Sequence, residues 1–493
     1  MAASSSFESA TRGTLRWITS QLIDGQWVAG EGEPFPIVNP ATEEVLCEMA
    51  AGSISQVDAA VESARRTFAT AEWADPQFRR GCLHRLADLV ERDAEKLGAT
   101  LTEEIGSPVA NRFNQVDVCA VYLRWYAEAA VVDRTRRLPP MPGMVDTENV
   151  IAMRPAGVVA TILAYNYPLF LLVTKIGAIM AAGCTTVVMP SQQAPLAVLL
   201  TGELMREAGF PKGAVNILTG PAELGKALTE HRDIAKVSFT GSVSVGARIM
   251  QQAAKGIRGV VLELGGKSAA IMLPGVDFAK YAMRLHTRHI QHAGQSCSSP
   301  TRYLVELARL EEFAEVTRRA YAAIPVGNPW RPEVLVGPVI SRAHRERVEH
   351  FVEEADAEGA EIVAGGGKSK EPRGWFVNPT MVAVRDNSLR IAREEIFGPI
   401  GVLIPYDDVE HAVQMANDSD LGLKAYLFGS AGEAMTLAAR LRVGTVVINQ
   451  GAGLRVDVPM GGFKQSGIGR EWGEDGIREF LESQHIDCGE AST

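Results

Sequence analysis

A chain of 493 residues, 46% of them apolar and 22% charged, is long enough for two or three domains with shared cores and has the composition of an ordinary soluble enzyme. Its formal charge of −10, with no run of Lys and Arg, excludes a phosphate-tracking surface and hence a nucleic-acid partner. Six cysteines, at 47, 82, 119, 184, 297 and 488, lie far apart without CxxC spacing, so reduced thiols and a cytoplasmic setting are expected rather than a disulfide framework.

The amino terminus is rich in Ser, Ala and Thr and has no apolar core behind a basic start, so no signal peptide is expected. Residues 148–153 alternate weakly between apolar and polar. From Gly157 onward a strand at 158–164 precedes a helix at 168–182 closed by Gly183, and a strand follows at 185–189. The longest apolar stretch, 169–189, is interrupted by Lys175, Thr185, Thr186 and two glycines, which predicts a buried helix and strand rather than a membrane span. A helix at 195–208 closed by Gly209 is followed by strands at 215–218, 236–240 and 260–264. Proline opens these helices and glycine closes them. Apolar strands alternating with helices predict a parallel α/β sheet. A second series follows Glu263, with strands at 303–305, 360–363, 400–404 and 445–449, and predicts a second domain. His485-Ile486-Asp487 ends the chain like an added strand. There is no internal repeat and no low-complexity linker.

The chemistry concentrates in two motifs, Leu262-Glu263-Leu264-Gly265-Gly266-Lys267 and Gly294-Gln295-Ser296-Cys297. A lone thiol with a carboxylate in the same half of the chain suggests covalent catalysis on a carbonyl, with Cys297 as nucleophile and Glu263 as base. Taken singly, a free cysteine is most often a buried core residue and a single glutamate a solvated charge. No GxGxxG follows the first strand. Instead Phe239-Thr240-Gly241-Ser242-Val243 ends a strand and opens a helix, where free amides, the helix dipole and the Ser242 hydroxyl face one point, as either a phosphate site or an ordinary serine cap. His286, His289 and His292 drift round a helix by roughly 60° per step, so only neighbours converge and no metal site is expected.

These motifs, with Val38-Asn39-Pro40, Asn166 in Ala164-Tyr165-Asn166-Tyr167-Pro168, Glu394-Glu395-Ile396-Phe397-Gly398-Pro399 and Pro459-Met460-Gly461-Gly462-Phe463-Lys464-Gln465-Ser466-Gly467, resemble the aldehyde dehydrogenase superfamily over nearly the whole chain. The resemblance implies an α/β fold of two Rossmann-like parallel-sheet domains plus a small β oligomerisation element. The cofactor-binding domain would take 1–131 and 154–263, the catalytic domain 264–464, and the oligomerisation element 132–153 and 465–493 of a homodimer or homotetramer. It also implies NAD(P)-dependent oxidation of an aldehyde to the acid. Cys297 would form a thiohemiacetal and then a thioester, Asn166 and the Cys297 backbone N–H would meet the oxyanion, and Glu263 would activate the hydrolytic water. Relatives that pass the acyl group to coenzyme A generally lack this base, so hydrolysis is expected. Lys175 matches a lysine that aids proton movement; on an apolar helix it is either functional or paired.

For the cofactor, the resemblance implies Tyr165, Gly241, Ser242, Leu264, Glu395 and Phe397, together with the second-strand motif. There the family's Lys-Pro-Ser-Glu is replaced by Met189-Pro190-Ser191-Gln192. Both charged ribose contacts are gone, so NAD is expected and NADP remains open. His292 stands where the family often has asparagine. The substrate would meet Tyr167, Leu171, Thr174, Ser296, Ser298 and the loop 450–460, where Arg455 binds a substrate carboxylate, pairs with Asp457, or stands with it as two solvated charges. The alternatives to an oxidoreductase are a thiol esterase or acyl-transferase using the same Cys297, and a non-catalytic binding paralogue.

Overall fold

A computed structural model describes residues 13, 15–142, 147–450 and 455–489. Two large sheets carry the fold. The first has eight strands, in the order Gln26–Val28, Gln21–Ile23, Val215–Ile217, Thr185–Met189, Val158–Ile162, Ile234–Thr240, Gly259–Glu263 and Gly467–Ile468. Its five central strands are parallel and its edges antiparallel. The central strands read as continuous apolar runs because helices cover both faces. The helix Pro168–Ala181 begins with proline at its first turn and is followed by Gly183 at φ 89°, a left-handed exit that a side chain disfavours.

The second sheet has seven strands: Glu361–Gly365, Thr380–Ala383, Ile400–Tyr406, Pro300–Glu306, Ser268–Met272, Lys424–Phe428 and Thr445–Ile448. All pair in parallel except the first. Each sheet has its own buried core. The two meet along the chain at Gly265-Gly266, which links the last parallel strand of the first sheet to the middle of the second.

A smaller antiparallel sheet joins Arg136–Leu138, Glu148–Pro155 and Leu481–Cys488. The predicted oligomerisation tail from 465 is divided in the fold. Gly467–Ile468 extends the first sheet beside Gly259–Glu263, and the outer strand of the small sheet begins only at Leu481, where the residues become exposed. Residues 143–146 and 490–493 of that expected element lie outside the described residues. Among the described residues, no helix is long and apolar enough to cross a membrane. The six cysteines are free thiols.

Candidate active site

Glu263 ends its strand in register with Thr240 on one side and Gly467 on the other. The two glycines after it answer to close approach. A Cβ on Gly265 would stand 2.3 Å from Glu395 Oε2, and one on Gly266 would stand 2.2 Å from the Cys297 carbonyl oxygen. The Gly-Gly step therefore brings three of the sequence motifs together at one point. Before Cys297 the helix Phe278–Ile290 ends, and His292 and Ala293 both take φ 53°, which costs a non-glycine residue about 1–2 kcal/mol. Gln295 braces this turn: its Oε1 accepts from Ile340 N at 2.9 Å, and its carbonyl accepts from Asn166 Nδ2 at 3.0 Å. Asn166 is itself held by Gln115 Nε2, which donates to the Asn166 carbonyl at 3.1 Å.

Asn166, Glu263 and Cys297 share one cavity of about 810 Å³, with Tyr167, Phe170, Leu171, Met460 and Trp472 on its apolar walls and Ser296 and Ser298 beside the thiol. One Asn166 amide hydrogen is taken by Gln295, and the nitrogen carries a second that has no partner among the described residues. Burial raises the Cys297 thiol to about 12, helped by the Glu395 and Glu263 charges and opposed by Lys424 and Arg288. Glu263 is held well above the usual carboxylate range, first by burial and then by Glu471, with Lys175 and Arg470 pulling it back. Its Oε1 has no hydrogen-bond partner among the described residues, and a Cβ on Gly461 would stand 2.9 Å from that oxygen.

Lys175 is not on the cavity wall. Its buried ammonium donates to Ser238 Oγ at 2.9 Å and pairs with the Glu471 carboxylate, so the paired alternative holds. Replacing Lys175 by Met is expected to destabilise the protein by about 3–5 kcal/mol, because the Glu471 charge is left buried alone. A urea midpoint unchanged from wild type would contradict that.

The expected cofactor residues cluster around the carboxyl ends of the first sheet. Ser242 caps the helix Val243–Ala254, accepting from Val245 N at 3.4 Å, and Gly241 N donates to the Glu263 carbonyl at 3.0 Å. A Cβ on Gly246 would stand 2.7 Å from Leu264 Cδ2, so the helix packs directly on Leu264. Met189 is buried, and its carbonyl accepts from Leu163 N at 3.0 Å. Ser191 Oγ accepts from Gln193 N at 3.3 Å, while the half-buried Gln192 side chain makes no hydrogen bond among the described residues. Tyr165 meets Phe397 edge-on at 5.9 Å, with Phe397 at φ 61° and its carbonyl 2.8 Å from His344 Nε2. Glu395 Oε1 accepts from Gly266 N at 3.0 Å, and burial raises its carboxyl to about 7.

The three histidines occupy separate settings. His286 Nε2 bonds to Thr317, His289 Nδ1 to the Tyr303 hydroxyl, and His292 packs edge-on against Tyr167. Arg455 is bonded twice to Asp457, at 2.9 and 2.5 Å, which is the loop ion pair. Residues 451–454 of that loop lie outside the described residues. Thr174, expected at the substrate, is buried with its hydroxyl bonded to the Leu171 carbonyl and does not line the cavity, because the helix turns it inward. Sequence reasoning missed Glu471, Trp472, Arg288 and Lys424, all of which line the cavity. The need of Lys175 for an anion was the one available signal for Glu471.

A sequence model described as the aldehyde dehydrogenase family matches residues 27–486. Among solved structures, the chain is similar to betaine aldehyde dehydrogenase from Staphylococcus aureus in complex with NAD+, with 34% identity, a TM-score of 0.94, and coverage of 98% of this chain and 97% of that one. It is similar to an NAD+ complex of aldehyde dehydrogenase from Bacillus cereus, with 34% identity, TM-score 0.92, and coverage of 95% and 96%. It is also similar to a mutant aldehyde dehydrogenase C from Pseudomonas syringae complexed with NAD+ and octanal, with 36% identity, TM-score 0.91, and coverage of 96% and 98%.

Proposed function

The chain belongs to the aldehyde dehydrogenase family, and on that premise we propose that it oxidises an aldehyde to its carboxylic acid with NAD(P) through a covalent Cys297 intermediate released by hydrolysis. The observation that carries this reading is the convergence of Cys297, Glu263 and Asn166 on one cavity. The Cys297 thiol gives its proton to water as its sulfur adds to the aldehyde carbon, and the new oxyanion meets the Asn166 amide nitrogen and the Cys297 backbone N–H. Loss of the aldehyde C–H as hydride re-forms the C=O and leaves a thioester. A bound nicotinamide nucleotide supplies the hydride acceptor. Glu263 then takes a proton from the water that attacks the Cys297 thioester, and the acid leaves as the thiol is restored.

The residues present fit such a cofactor. The capped helix start at Ser242 suits a diphosphate. The unengaged Gln192 amide suits a ribose hydroxyl, and Glu395 with the Tyr165–Phe397 pair suits the nicotinamide half. No carboxylate at 192 repels a 2′-phosphate, so both nucleotides are accepted in this reading. Gln192→Glu is expected to raise the NAD-to-NADP ratio of kcat/KM by roughly tenfold or more; an unchanged ratio would place that residue away from the ribose.

The reading is tested by following reduced nicotinamide absorbance with aliphatic, aromatic and carboxylate-bearing aldehydes, each with NAD and with NADP. Turnover supports it. Silence from folded protein, with cleavage of a thioester, would replace it by the esterase reading. We further assign self-association as a homodimer or homotetramer to the exposed edge strand Leu481–Cys488, and the cytoplasm as its setting. Sedimentation as a monomer would overturn the first.

A further inference from the structure

The walls of the cavity around Cys297 carry four cations against two carboxylates. Lys280, Arg284 and Arg288 stand at successive four-residue steps on the helix Phe278–Ile290, so one face of that helix lines the cavity with cations. Lys424 enters the same cavity from the strand Lys424–Phe428. Arg288 reaches the residue after the nucleophile, its Nη2 donating to Ser298 Oγ at 2.5 Å, and its Nε has no partner among the described residues. Lys424 is only 4% exposed and makes neither an ion pair nor a side-chain hydrogen bond among the described residues. The carboxylates on these walls are Glu263 and Glu471, and Glu471 is committed to Lys175.

An ammonium on a nearly buried side chain, open to the cavity and without an ion-pair partner among the described residues, stands beside a guanidinium whose Nε is unbonded, and together they suit an anion. Burial and Arg288 push Lys424 down to about 8, as expected of a cation that lacks its counter-charge. We propose that the substrate is a short-chain aldehyde with a carboxylate at its far end, the carboxylate gripped by Arg288 and Lys424 while the aldehyde carbon meets Cys297. This rests on the aldehyde-oxidation reading above. The guanidinium fork matches a planar carboxylate, and its contact with Ser298, the residue after the nucleophile, sets the anion subsite at the Cys297 end of the cavity. Lys280 and Arg284, both exposed, give the entrance the same sign and draw an anion inward. Although Tyr167, Phe170 and Trp472 offer the rings that hold an onium group, a trimethylammonium aldehyde would be repelled by all four cations.

The test compares kcat/KM for 4-oxobutanoate, butanal, betaine aldehyde and glycolaldehyde phosphate. The oxo acid is expected to exceed butanal by roughly 100-fold. That ratio is expected to fall by roughly 30- to 100-fold in Arg288→Gln and about tenfold in Lys424→Met, with Arg288→Lys between wild type and Arg288→Gln. Preference for butanal, for betaine aldehyde or for the phosphate, or a ratio unmoved by both substitutions, would overturn the proposal. Calorimetric binding of succinate, but not succinamide, to the wild-type protein decides the anion site independently of turnover and of how the variants fold. If no aldehyde is oxidised, the functional reading fails, and the succinate measurement still answers for the subsite.

Discussion

A Cys297→Ser protein is expected to oxidise no aldehyde at a measurable rate, with a loss of at least about 10³-fold, while still binding its nucleotide. Serine keeps the geometry and removes the polarizable sulfur. Its alkoxide lies far beyond reach near neutral pH, and the ester it would form resists water more than a thioester does. The thiol itself is hard to ionise in the resting protein, because burial and the Glu395 and Glu263 charges push it up to about 12. Attack therefore depends on the cations and donors that surround the sulfur, and the same surroundings offer nothing comparable to a hydroxyl. The checks are the steady-state rate and a calorimetric NAD titration. Turnover within tenfold of wild type would remove the covalent mechanism.

Glu263→Gln is expected to separate the two halves of the reaction. The first turnover should appear as a burst of reduced nicotinamide approaching one per active site, followed by a steady state slowed by roughly 10²–10⁴-fold, the usual worth of a general base. Glutamine fills the same space beside Gly461 but cannot take a proton from water. The pH dependence follows from sign. A base works when deprotonated, and burial with the neighbouring Glu471 raises the value at which Glu263 gives up its proton. Wild-type hydrolysis should therefore quicken as pH rises toward that raised value, and the substituted protein should lose this limb. A variant with an unchanged steady state and no burst would show that another group activates the water.

The strands of the first sheet could be placed within a residue or two because they are buried on both faces, so apolar runs such as Thr185–Met189 stand out against the proline and glycine that punctuate the helices. Cys297, Glu263 and Asn166 were legible only through their motifs. Their meeting depends on glycines whose absent side chains make room for Glu395 and the Cys297 carbonyl, a tertiary fact that spacing does not carry. Strand Lys424–Phe428 was not anticipated, since a lysine within a run of apolar residues breaks the pattern of a buried strand. Arg288 reads in sequence as one more basic residue near the end of an amphipathic helix, and only the fold turns it toward Ser298. Glu471 lies in no periodic segment. Its role is set by Lys175, nearly three hundred residues earlier, through the 296-residue separation that the fold closes.

The pairing of Glu148–Pro155 with Leu481–Cys488 has a consequence for how the chain is made. Residues such as Arg154 and Gln484, bonded side chain to side chain at 3.0 Å, are 330 positions apart. At roughly 5–20 residues per second, a ribosome needs between about a quarter of a minute and a minute to deliver the partner strand. Throughout that interval one edge of Glu148–Pro155 stands unpaired on the nascent chain, an open template for neighbouring chains on the same message. Translation speed and chaperone supply, rather than the stability of the finished fold, then set how much of the protein escapes aggregation during synthesis.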